Sequence, residues 1–535
     1  MLTHVNSYSG VTLIKAGNIS LGGGTCNQFG LGTGPGGNGN TTVILDGGTL
    51  TMFSDTGSYD TVNWNVFVPA SSTGTIYGDD RCNLYGSLTG GGTLNFSVNY
   101  VRTELDGNWS AFTGQINMIA GDGSGDFRIG NTSGYGNATV NLGAGISAYH
   151  VSGSGVAIGG LSGSAGSFMS GTPWTVGAKN TDSTFAGNIT GNSLTKVGTG
   201  TLTFTGTNTY ASGTTISGGT LRIGSGGTAG SLGTGSITDN ATLAFNRSDS
   251  ITDTNFGVIS GAGNLAKRGT GRLALTKAHT YTGATTIETG TLALTNSGSI
   301  ANSSNLSVQA GALFDVSGTT GGSMTLASGK MISGIGSVKG NFVVGSGAIL
   351  SPGLNGIGTL TFSNSLTLAA GCTNIFEINK SPLTSDVARI FGALTNGGTL
   401  IVTNIGAVAL TNGDSFKLFN AASYNGTFAN VIISPLPAGL GWNTNSLNTS
   451  GTLSIIVVAK PLITSAAMSG NGFAFAGTGG VANANFYLLG ATNLATPVSN
   501  WTRLLTNQFD NNGSFNFTNA MDTNASQTFY LLQVP

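Results

Sequence analysis

The amino-acid sequence predicts an all-β protein: a long parallel β-helix, or solenoid, followed by a small C-terminal β-sandwich-like module. Three observations support this prediction: an internal repeat, short strands in which apolar and polar residues alternate, and a charged-residue content of only 7%. The repeat is the most informative of the three, because a repeated unit determines the architecture before any local pattern does.

The repeat occupies residues 194–224 and returns 71 residues later, at 265–295. From position 194 to position 223, 15 of the 30 residues are identical to their partners 71 residues later, and no gap is needed. The identical residues are leucine, isoleucine, glycine, threonine, tyrosine and one lysine. No histidine or carboxylate repeats with them, which favours a structural role for the unit.

Within the repeat, apolar residues follow a period of two. Leu202 and Phe204 alternate with threonines, and Leu221 and Ile223 do the same after Ile216. This alternation predicts short strands, and the glycine-rich breaks between them predict turns. Since one such unit cannot bury its apolar face alone, the units are expected to stack on one another.

Residues 2–21 align with residues 275–294 at a constant offset of 273. This predicts a third copy whose front half is missing, so we expect that the true N-terminus lies upstream. A secretion signal would then also lie upstream, and its absence here is weak evidence about location.

The composition excludes several classes of protein. Charged residues make up 7% of the chain, against about 25% in ordinary soluble proteins. A net charge of -1 argues against a nucleic-acid or anionic-membrane partner, since either requires a basic surface. The sequence contains no run of 18 apolar residues, so it predicts no membrane-spanning helix. In a solenoid, equivalent side chains stack about 4.8 Å apart, so a low charge avoids columns of like charges.

The chain is expected to divide into three parts. Residues 1–380 would form the solenoid, with about 16 turns and a length on the order of 75 Å. Residues 381–459 would form its last turns or a C-terminal cap. Residues 460–535, which begin at a proline-containing joint, would form a separate all-β module with about seven strands, as in a sandwich.

The repeat resembles the autotransporter-associated β-strand repeat, also called the passenger-associated transport repeat. The matching residues are Lys196, Gly198, Gly200, Leu202, Asn208, Tyr210, Ile216 and Leu221. The first copy departs from the family pattern at Gly213, which lies one residue late, and the second copy has His279 in place of asparagine. The resemblance implies a right-handed parallel β-helix in a secreted or surface-displayed bacterial passenger, where the repeat assists export and folding.

Two short acidic stretches are similar to motifs of β-helical polygalacturonases: Gly78-Asp79-Asp80 and Asn180-Thr181-Asp182. They occur in the wrong order and about 100 residues apart, and the family's companion motifs are missing. Carboxylates that act as a catalytic acid and base must face each other within about 5–10 Å, and nothing in the sequence indicates this. The favoured interpretation is that these aspartates stabilise turns.

Asp122 and Asp126 hint at a calcium-binding turn. The calcium-binding nonapeptide requires a glycine where this chain has Ser124, and it requires tandem copies, whereas this motif occurs once. We therefore predict no metal site.

The remaining candidate side chains are few. The three histidines are His4, His150 and His279, the recurring tyrosines are Tyr8, Tyr210 and Tyr281, and the cysteines are Cys26, Cys82 and Cys372. A ladder of these tyrosines could stack on sugars, but the favoured interpretation is that each tyrosine packs against a turn of the solenoid. Cys26 and Cys82 could form a disulfide across turns, although three sparse cysteines are better interpreted as small buried hydrophobes.

The sequence thus predicts a non-enzymatic extracellular β-helix: a stalk, an adhesin or a fibre-forming passenger. Its expected contacts are with copies of itself, with a cell surface or with polysaccharide. Catalytic, cofactor-binding and metal-binding residues are predicted to be absent. The alternatives are a carbohydrate-binding surface protein that uses the long face of the solenoid, and a β-helical polysaccharide lyase or hydrolase.

Overall fold

The protein forms a parallel β-solenoid of about 15 turns, and strands make up 54% and helices 2% of the residues that the structure describes. The predicted parallel β-helical fold class is therefore confirmed. The computed structural model describes residues 10–21, 42–52, 60–78, 82–98, 102–121, 125–132, 134–150, 154–353, 356–437, 439–458, 460–481, 483–521 and 525–534.

Two compact units make up the chain, and they alternate along the sequence. The first contains Met1–Phe376, Asp386–Ile401 and Asn420–Ile432, and the second contains Glu377–Ser385, Val402–Phe419 and Ile433–Pro535. The domain boundaries predicted near residues 380 and 460 stay predictions.

The strands of the first unit form parallel ladders from one turn to the next. The sheet with the most strands contains Asn18–Leu21, Thr49–Met52, Thr73–Gly78, Thr93–Val98, Gln115–Ala120, Tyr135–Leu142, Val156–Gly163, Trp174–Val176, Ser183–Phe185, Leu194–Lys196, Thr201–Phe204, Thr214–Ile216, Thr220–Ile223, Ile237–Asp239, Thr242–Asn246, Ile259–Ser260, Asn264–Arg268, Thr285–Ile287, Asn305–Val308, Met331–Gly334 and Ile349–Pro352. Strands Thr373–Asn379, Thr399–Asn404 and Asn430–Ile433 extend from one unit into the other along the chain.

Three further sheets complete the solenoid walls. A four-stranded sheet contains Thr12–Ile14, Thr42–Leu45, Asn65–Val68 and Leu88–Gly90. A seven-stranded sheet contains Asp60–Val62, Cys82–Leu84, Arg102–Leu105, Gly125–Ile129, Ile146–His150, Phe168–Ser170 and Asn188–Ile189. An eleven-stranded sheet contains Ile251–Thr252, Arg272–Leu275, Thr291–Asn296, Leu313–Thr319, Ser323–Leu326, Ser337–Lys339, Asn341–Val344, Thr359–Phe362, Leu366–Leu368, Val387–Asn396 and Phe419–Gly426. A 3₁₀ turn covers Asp253–Asn255.

Each copy of the repeat pairs with itself. In the first copy, Leu194 lies opposite Thr214 and Lys196 lies opposite Ile216, so residues 20 positions apart become neighbours on successive turns. In the second copy, Lys267 lies opposite Ile287 in the same way. One copy therefore supplies strands to two successive turns.

The interior of the solenoid is a set of stacked apolar columns. One column places Phe204, Ile223 and Phe245 in register on three successive turns, and each is at most 2% exposed. Because successive turns each contribute a side chain to such a column, the apolar alternation of the sequence becomes a core that runs from turn to turn.

Glycine is required where the repeat turns sharply. Gly198 and Gly219 have φ angles of 69° and 62°, and their partners Gly269 and Gly290 have φ angles of 72° and 68°. These values lie in the left-handed region, which side chains with a Cβ adopt at a cost. A Cβ on Gly198 would also lie 2.1 Å from the carbonyl oxygen of Gly177 on the preceding turn.

A column of asparagines connects four turns on the outside of the solenoid. The Nδ2 of Asn117 donates to Oδ1 of Asn95 at 2.8 Å, and the Nδ2 of Asn141 donates to Oδ1 of Asn117 at 3.2 Å. Ser162 Oγ then donates to Oδ1 of Asn141 at 3.0 Å. Neutral amides can hydrogen-bond at this spacing, whereas carboxylates would repel one another.

The second unit ends in a module of antiparallel strands, residues 462–533. One three-stranded sheet contains Leu462–Ser469, Gly472–Thr478 and Phe515–Ala520, and another contains Asn485–Ala491, Thr502–Gln508 and Phe529–Gln533. Buried Phe475, Phe486, Phe509, Phe515 and Phe517 form its core together with Leu488. The sequence predicted about seven strands, whereas the described part of the module has six.

Other elements of the second unit are short. A three-stranded antiparallel sheet contains Ser415–Lys417, Leu440–Asn443 and Thr452–Val457. Thr384–Ser385 forms a two-residue strand, Leu447–Ser450 a single α-helical turn and Val498–Asn500 a 3₁₀ turn. None of the helices in the described residues is long and apolar enough to cross a membrane.

The asparagine column provides a test of the charge argument. Changing Asn95, Asn117 and Asn141 together to aspartate would place carboxylates about 4.8 Å apart, where each adjacent pair costs on the order of 1 kcal/mol even at the dielectric of water. We expect the triple variant to lose more free energy of unfolding than the sum of the three single variants. Urea denaturation at low and at high salt measures this, and high salt should restore part of the loss.

The matched control carries the same three substitutions at Asn302, Asn425 and Asn511, which are exposed and lie far apart in the sequence. Its change in free energy of unfolding should be additive and nearly independent of salt. If the two triple variants behave alike, stacking of like charges is not what keeps this chain poor in charge.

Candidate functional site in the buried polar network of the repeats

The repeated lysine is buried and joins two turns of the solenoid. Lys196 is 1% exposed, and its Nζ donates to the carbonyl oxygens of Val197 at 2.7 Å, Gly198 at 3.0 Å and Gly218 at 3.1 Å. Three acceptors match the three protons of an ammonium group. The lysine thus holds its own turn against the turn above it.

The second copy repeats this arrangement. Lys267 is 2% exposed, and its Nζ donates to the carbonyl oxygens of Arg268 at 2.8 Å, Gly269 at 2.7 Å and Thr289 at 3.3 Å. Burial lowers the pKa of Lys267 to about 8, because it disfavours the charged form. Burial lowers the pKa of Lys196 as well, and the nearby charge of Asp182 opposes that shift.

The repeated tyrosine is also buried in both copies. Tyr210 and Tyr281 are 0% exposed, and their hydroxyls lie 2.8 Å from Thr214 Oγ1 and 2.6 Å from Thr285 Oγ1, respectively. Burial raises the pKa of Tyr210 to about 12. Neither ring reaches the surface, so these two tyrosines cannot form a ladder on which sugars stack.

Asn208 and His279 occupy the same repeat position and make the same contact. The backbone N–H of Ile189 donates to Oδ1 of Asn208 at 2.8 Å, and the N–H of Ile259 donates to Nδ1 of His279 at 3.0 Å. Both acceptors thus satisfy an N–H group of the preceding turn. Because Nδ1 of His279 is an acceptor here, the network assigns the imidazole proton to Nε2.

His279 donates that proton to a buried carboxylate. Its Nε2 lies 3.1 Å from Oδ2 of Asp253, and both side chains are 0% exposed. Burial lowers the pKa of His279, and the charge of Asp253 and the hydrogen bond to it oppose this shift. The imidazole is therefore neutral at neutral pH and acts as a hydrogen-bond bridge.

Asp253 is held by several donors on the following turn. Its Oδ2 accepts the N–H groups of Thr276 at 2.7 Å and Lys277 at 2.9 Å, and its Oδ1 accepts the Thr276 hydroxyl at 2.6 Å. Burial tends to raise the pKa of Asp253, but these hydrogen bonds outweigh it, and the pKa is lowered. Lys277 Nζ donates to the carbonyl oxygens of Asp253 at 2.6 Å and Phe256 at 2.5 Å.

A second buried carboxylate lies on the turn between the two copies. Asp239 is 0% exposed, and its Oδ1 accepts the N–H of Ala241 at 3.0 Å. Burial raises the pKa of Asp239 to about 6, although hydrogen bonds from the backbone of Ala241 and Leu243 oppose the shift. A carboxyl group with this pKa is a common feature of catalytic sites, but it also occurs in structural networks.

The acidic stretches that resemble polygalacturonase motifs are not assembled into a site in the described part of the chain. Asp79 and Asp80 lie outside the described residues. Asn180 has a φ angle of 60°, and its Oδ1 accepts the N–H of Thr199 at 2.9 Å. Asp182 Oδ1 accepts the N–H of Thr201 at 2.7 Å. Asn180 and Asp182 therefore join successive turns.

Asp126 of the possible calcium turn lies on the strand Gly125–Ile129, and its Oδ2 is 3.9 Å from Nε of Arg128. Asp122 lies outside the described residues. Among the residues that the structure describes, no group of three histidine, cysteine, aspartate or glutamate side chains could hold a metal ion. The absence of a metal site stays a prediction.

The remaining candidates are separated from one another. His150 is 5% exposed at the end of the strand Ile146–His150. Cys372 is buried, burial raises the pKa of its thiol, and its Sγ accepts from Nδ2 of Asn374 at 3.5 Å. The other candidates, His4, Tyr8, Cys26 and the side chain of Cys82, lie outside the described residues.

Comparison with known proteins identifies the repeated unit. Residues 194–223 and 265–294 match the family described as Passenger-associated-transport-repeat. The chain carries two passenger-associated transport repeats. The resemblance found in the sequence motif is therefore confirmed, and Lys196, Asn208 and Tyr210 of that motif, with their partners in the second copy, form the buried network described above.

The chain is also similar to a protein named Adhesin BmaC autotransporter, from Brucella suis biovar 1 (strain 1330). The two are 32% identical over 171 residues, which is 31% of this chain and 5% of the relative. The chain thus matches only a small part of that protein.

The role of the buried lysine can be tested by Lys267→Met, which keeps an unbranched side chain of similar length and removes the ammonium group. Three backbone carbonyl oxygens would lose their donor, and an unsatisfied buried polar group costs about 1–3 kcal/mol. We therefore expect the free energy of unfolding to fall by about this amount, as measured by urea denaturation with circular dichroism.

The control is Lys339→Met. The Lys339 side chain is 51% exposed and pairs with Asp315 at 3.3 Å. Exposed ion pairs contribute about 0–1 kcal/mol, so this variant should change the stability little. Equal effects of the two substitutions would contradict a special role for the buried ammonium group.

The histidine bridge predicts a pH dependence. Because the pKa of His279 is lowered in the folded chain, the unfolded chain binds a proton first as the pH falls below about 6.5, and stability falls with it. His279→Asn restores the residue of the first copy, which accepts the same N–H without titrating. We expect the wild type to lose more free energy of unfolding than His279→Asn between pH 8 and pH 5.

The difference between the two pH profiles is the quantity to measure, because Asp239 and Asp253 titrate in both proteins. The matched control is Asn208→Ala, which removes the corresponding contact in the first copy. It should lower the stability by an amount that does not depend on pH. Parallel profiles for the wild type and His279→Asn would exclude a neutral, buried His279.

Proposed function

We propose that this chain is the non-enzymatic structural part of a bacterial surface or secreted protein, and that its solenoid serves as a stalk that presents adhesive contacts. The observation that carries the proposal is that the polar side chains of the repeat are occupied by hydrogen bonds inside the solenoid. Lys196, Asn208 and Tyr210, with their partners in the second copy, are buried and hydrogen-bonded within the solenoid. They stabilise the turns and offer no group to a substrate.

The nature of the relative supports the adhesive part of the proposal. The similar protein is named an adhesin, and this chain carries two segments that match the repeat family. A charge content of 7% and a net charge of -1 fit contacts made through hydrogen bonds and shape rather than through a strong electrostatic field. A regular solenoid is also compatible with contacts between copies of the chain, which would assemble them into fibres.

A carbohydrate-binding function on the long face of the solenoid is the second candidate. The outward column Asn95, Asn117, Asn141 and Ser162 is uncharged and rich in donors and acceptors. Such a surface could pair with the hydroxyls of a polysaccharide. The amides are largely occupied by one another, however, which favours the structural function over this one.

The test uses beads coated with the purified chain. We expect them to attach to at least one of four surfaces, cultured epithelial cells, cellulose, chitin or a second set of coated beads, more strongly than beads coated with the heat-unfolded chain. In parallel, the soluble chain is incubated with pectin, xylan and alginate, and release of reducing ends or unsaturated products is measured. We expect no release.

Each outcome bears on a different part of the proposal. Release of products from any polysaccharide would overturn the non-enzymatic function. Attachment equal to that of the unfolded chain on all four surfaces would overturn the adhesive function. Attachment between coated beads, together with filaments in electron micrographs, would identify the chain's own copies as the partner.

A further inference from the structure

The C-terminal module contains a pocket at one end of its two sheets. The pocket has a volume of about 390 Å³, which lies within the usual range of small-ligand sites of about 300–1,000 Å³. Its walls come from the end of strand Asn485–Ala491, the start of Thr502–Gln508, the end of Phe515–Ala520 and the start of Phe529–Gln533. Both sheets therefore contribute to it.

The lining is polar but uncharged. Hydroxyl and amide groups are supplied by Thr496, Asn500, Thr502, Asn519, Thr528 and Tyr530. These groups both donate and accept hydrogen bonds. No lysine, arginine, aspartate or glutamate is among the described residues that line the pocket. The guanidinium group of Arg503, next to a lining residue in the sequence, lies over the ring of Tyr487 at 3.6 Å from its centroid.

The loop that borders the pocket is held in place by its own hydrogen bonds. Asn493 Oδ1 accepts the N–H of Ala495 at 3.0 Å, and Trp501 Nε1 donates to the carbonyl oxygen of Thr496 at 2.8 Å. The Nε2 of Gln527 donates to the carbonyl oxygen of Thr492 at 3.2 Å. A loop that is already ordered loses less entropy when a ligand binds.

The aromatic residue that lines the pocket, Tyr530, packs against the core of the module. The ring of Tyr530 is stacked on Phe473 at a centroid distance of 6.2 Å and meets the edge of Phe475 at 5.1 Å. It is therefore rigid, and with Leu504 it supplies apolar surface beside the hydroxyl and amide groups.

We propose that this pocket binds a neutral saccharide. A sugar presents hydroxyl groups along its edges and C–H groups on its faces, and the pocket offers a matching set: threonine hydroxyls, asparagine amides and an aromatic and aliphatic wall. An acidic saccharide would need a cation to pair with its carboxylates, and the lining supplies none. The site is independent of the stalk function, because its residues lie outside the solenoid ladders.

The test measures binding of the whole chain to the hexasaccharides of glucose, mannose, xylose and N-acetylglucosamine and to oligogalacturonate, by isothermal titration calorimetry. We expect saturable binding of at least one neutral hexasaccharide and none of oligogalacturonate. Asn519→Ala and Asn500→Ala should each weaken that binding at least tenfold, since each removes an amide from the pocket wall.

The control is Asn516→Ala, a change of the same kind on the same strand at an exposed residue outside the pocket. It should bind as the wild type does, and circular dichroism should show all three variants folded. The proposal is overturned if no neutral hexasaccharide binds at millimolar concentration, if oligogalacturonate binds as tightly, or if both pocket variants bind like Asn516→Ala.

This experiment and the bead assay can fail separately. Loss of saccharide binding in Asn519→Ala with unchanged attachment of coated beads supports both proposals, because it separates the pocket from the adhesive surface. Attachment to cellulose or chitin that survives both pocket substitutions would place polysaccharide contact on another surface. Saccharide binding that also survives them would overturn the pocket assignment.

Discussion

Parallel pairing from turn to turn is the constraint on which the rest of the structure depends. It places residues about 20 positions apart side by side, as with Leu194 and Thr214, so every side chain joins a column of neighbours from other turns. A column tolerates only residues that can stand beside copies of their own kind. The apolar interior, the asparagine column and the scarcity of charge are three consequences of this one rule.

The buried lysines show how a charge can be admitted into such a column. At the position of Lys196 and Lys267, the neighbours on the next turn are Ile216 and Ile287, so no second ammonium group stands beside either lysine. The charge is surrounded by three carbonyl oxygens at a turn, which replace the hydration it has lost. A buried ammonium with three acceptors thus adds side-chain hydrogen bonds to the backbone hydrogen bonds that join two consecutive turns.

The network around Asp253 shows how the two copies diverged while they kept one contact. In the first copy an amide is sufficient, since Asn208 accepts one N–H and donates to Ser231 through its own Nδ2 at 2.7 Å. In the second copy, His279 accepts the equivalent N–H and directs its proton to Asp253. The imidazole therefore uses a buried carboxylate as its acceptor, whereas the amide uses a backbone carbonyl oxygen.

Part of this network was accessible from the sequence. The sequence identified the lysine and tyrosine as repeated and His279 as a departure from the motif, but it did not predict their hydrogen bonds. The 71-residue offset also relates Asp182 to Asp253, which was a signal that the repeat extends further back. The acceptors themselves are backbone carbonyls, and no residue type in a sequence marks a carbonyl oxygen as a ligand.

The sequence by itself determined the fold class, the location of the repeats and the resemblance to passenger repeats. These follow from period-two alternation and from glycine placement, which are local properties of the chain. Only the tertiary structure decided the roles of Lys267, His279 and Asp253, and it alone brought Asn519 and Tyr530 to one pocket. Those arrangements depend on which turns or sheets lie against each other. The distance between two side chains that are far apart in the sequence is set only when the chain folds.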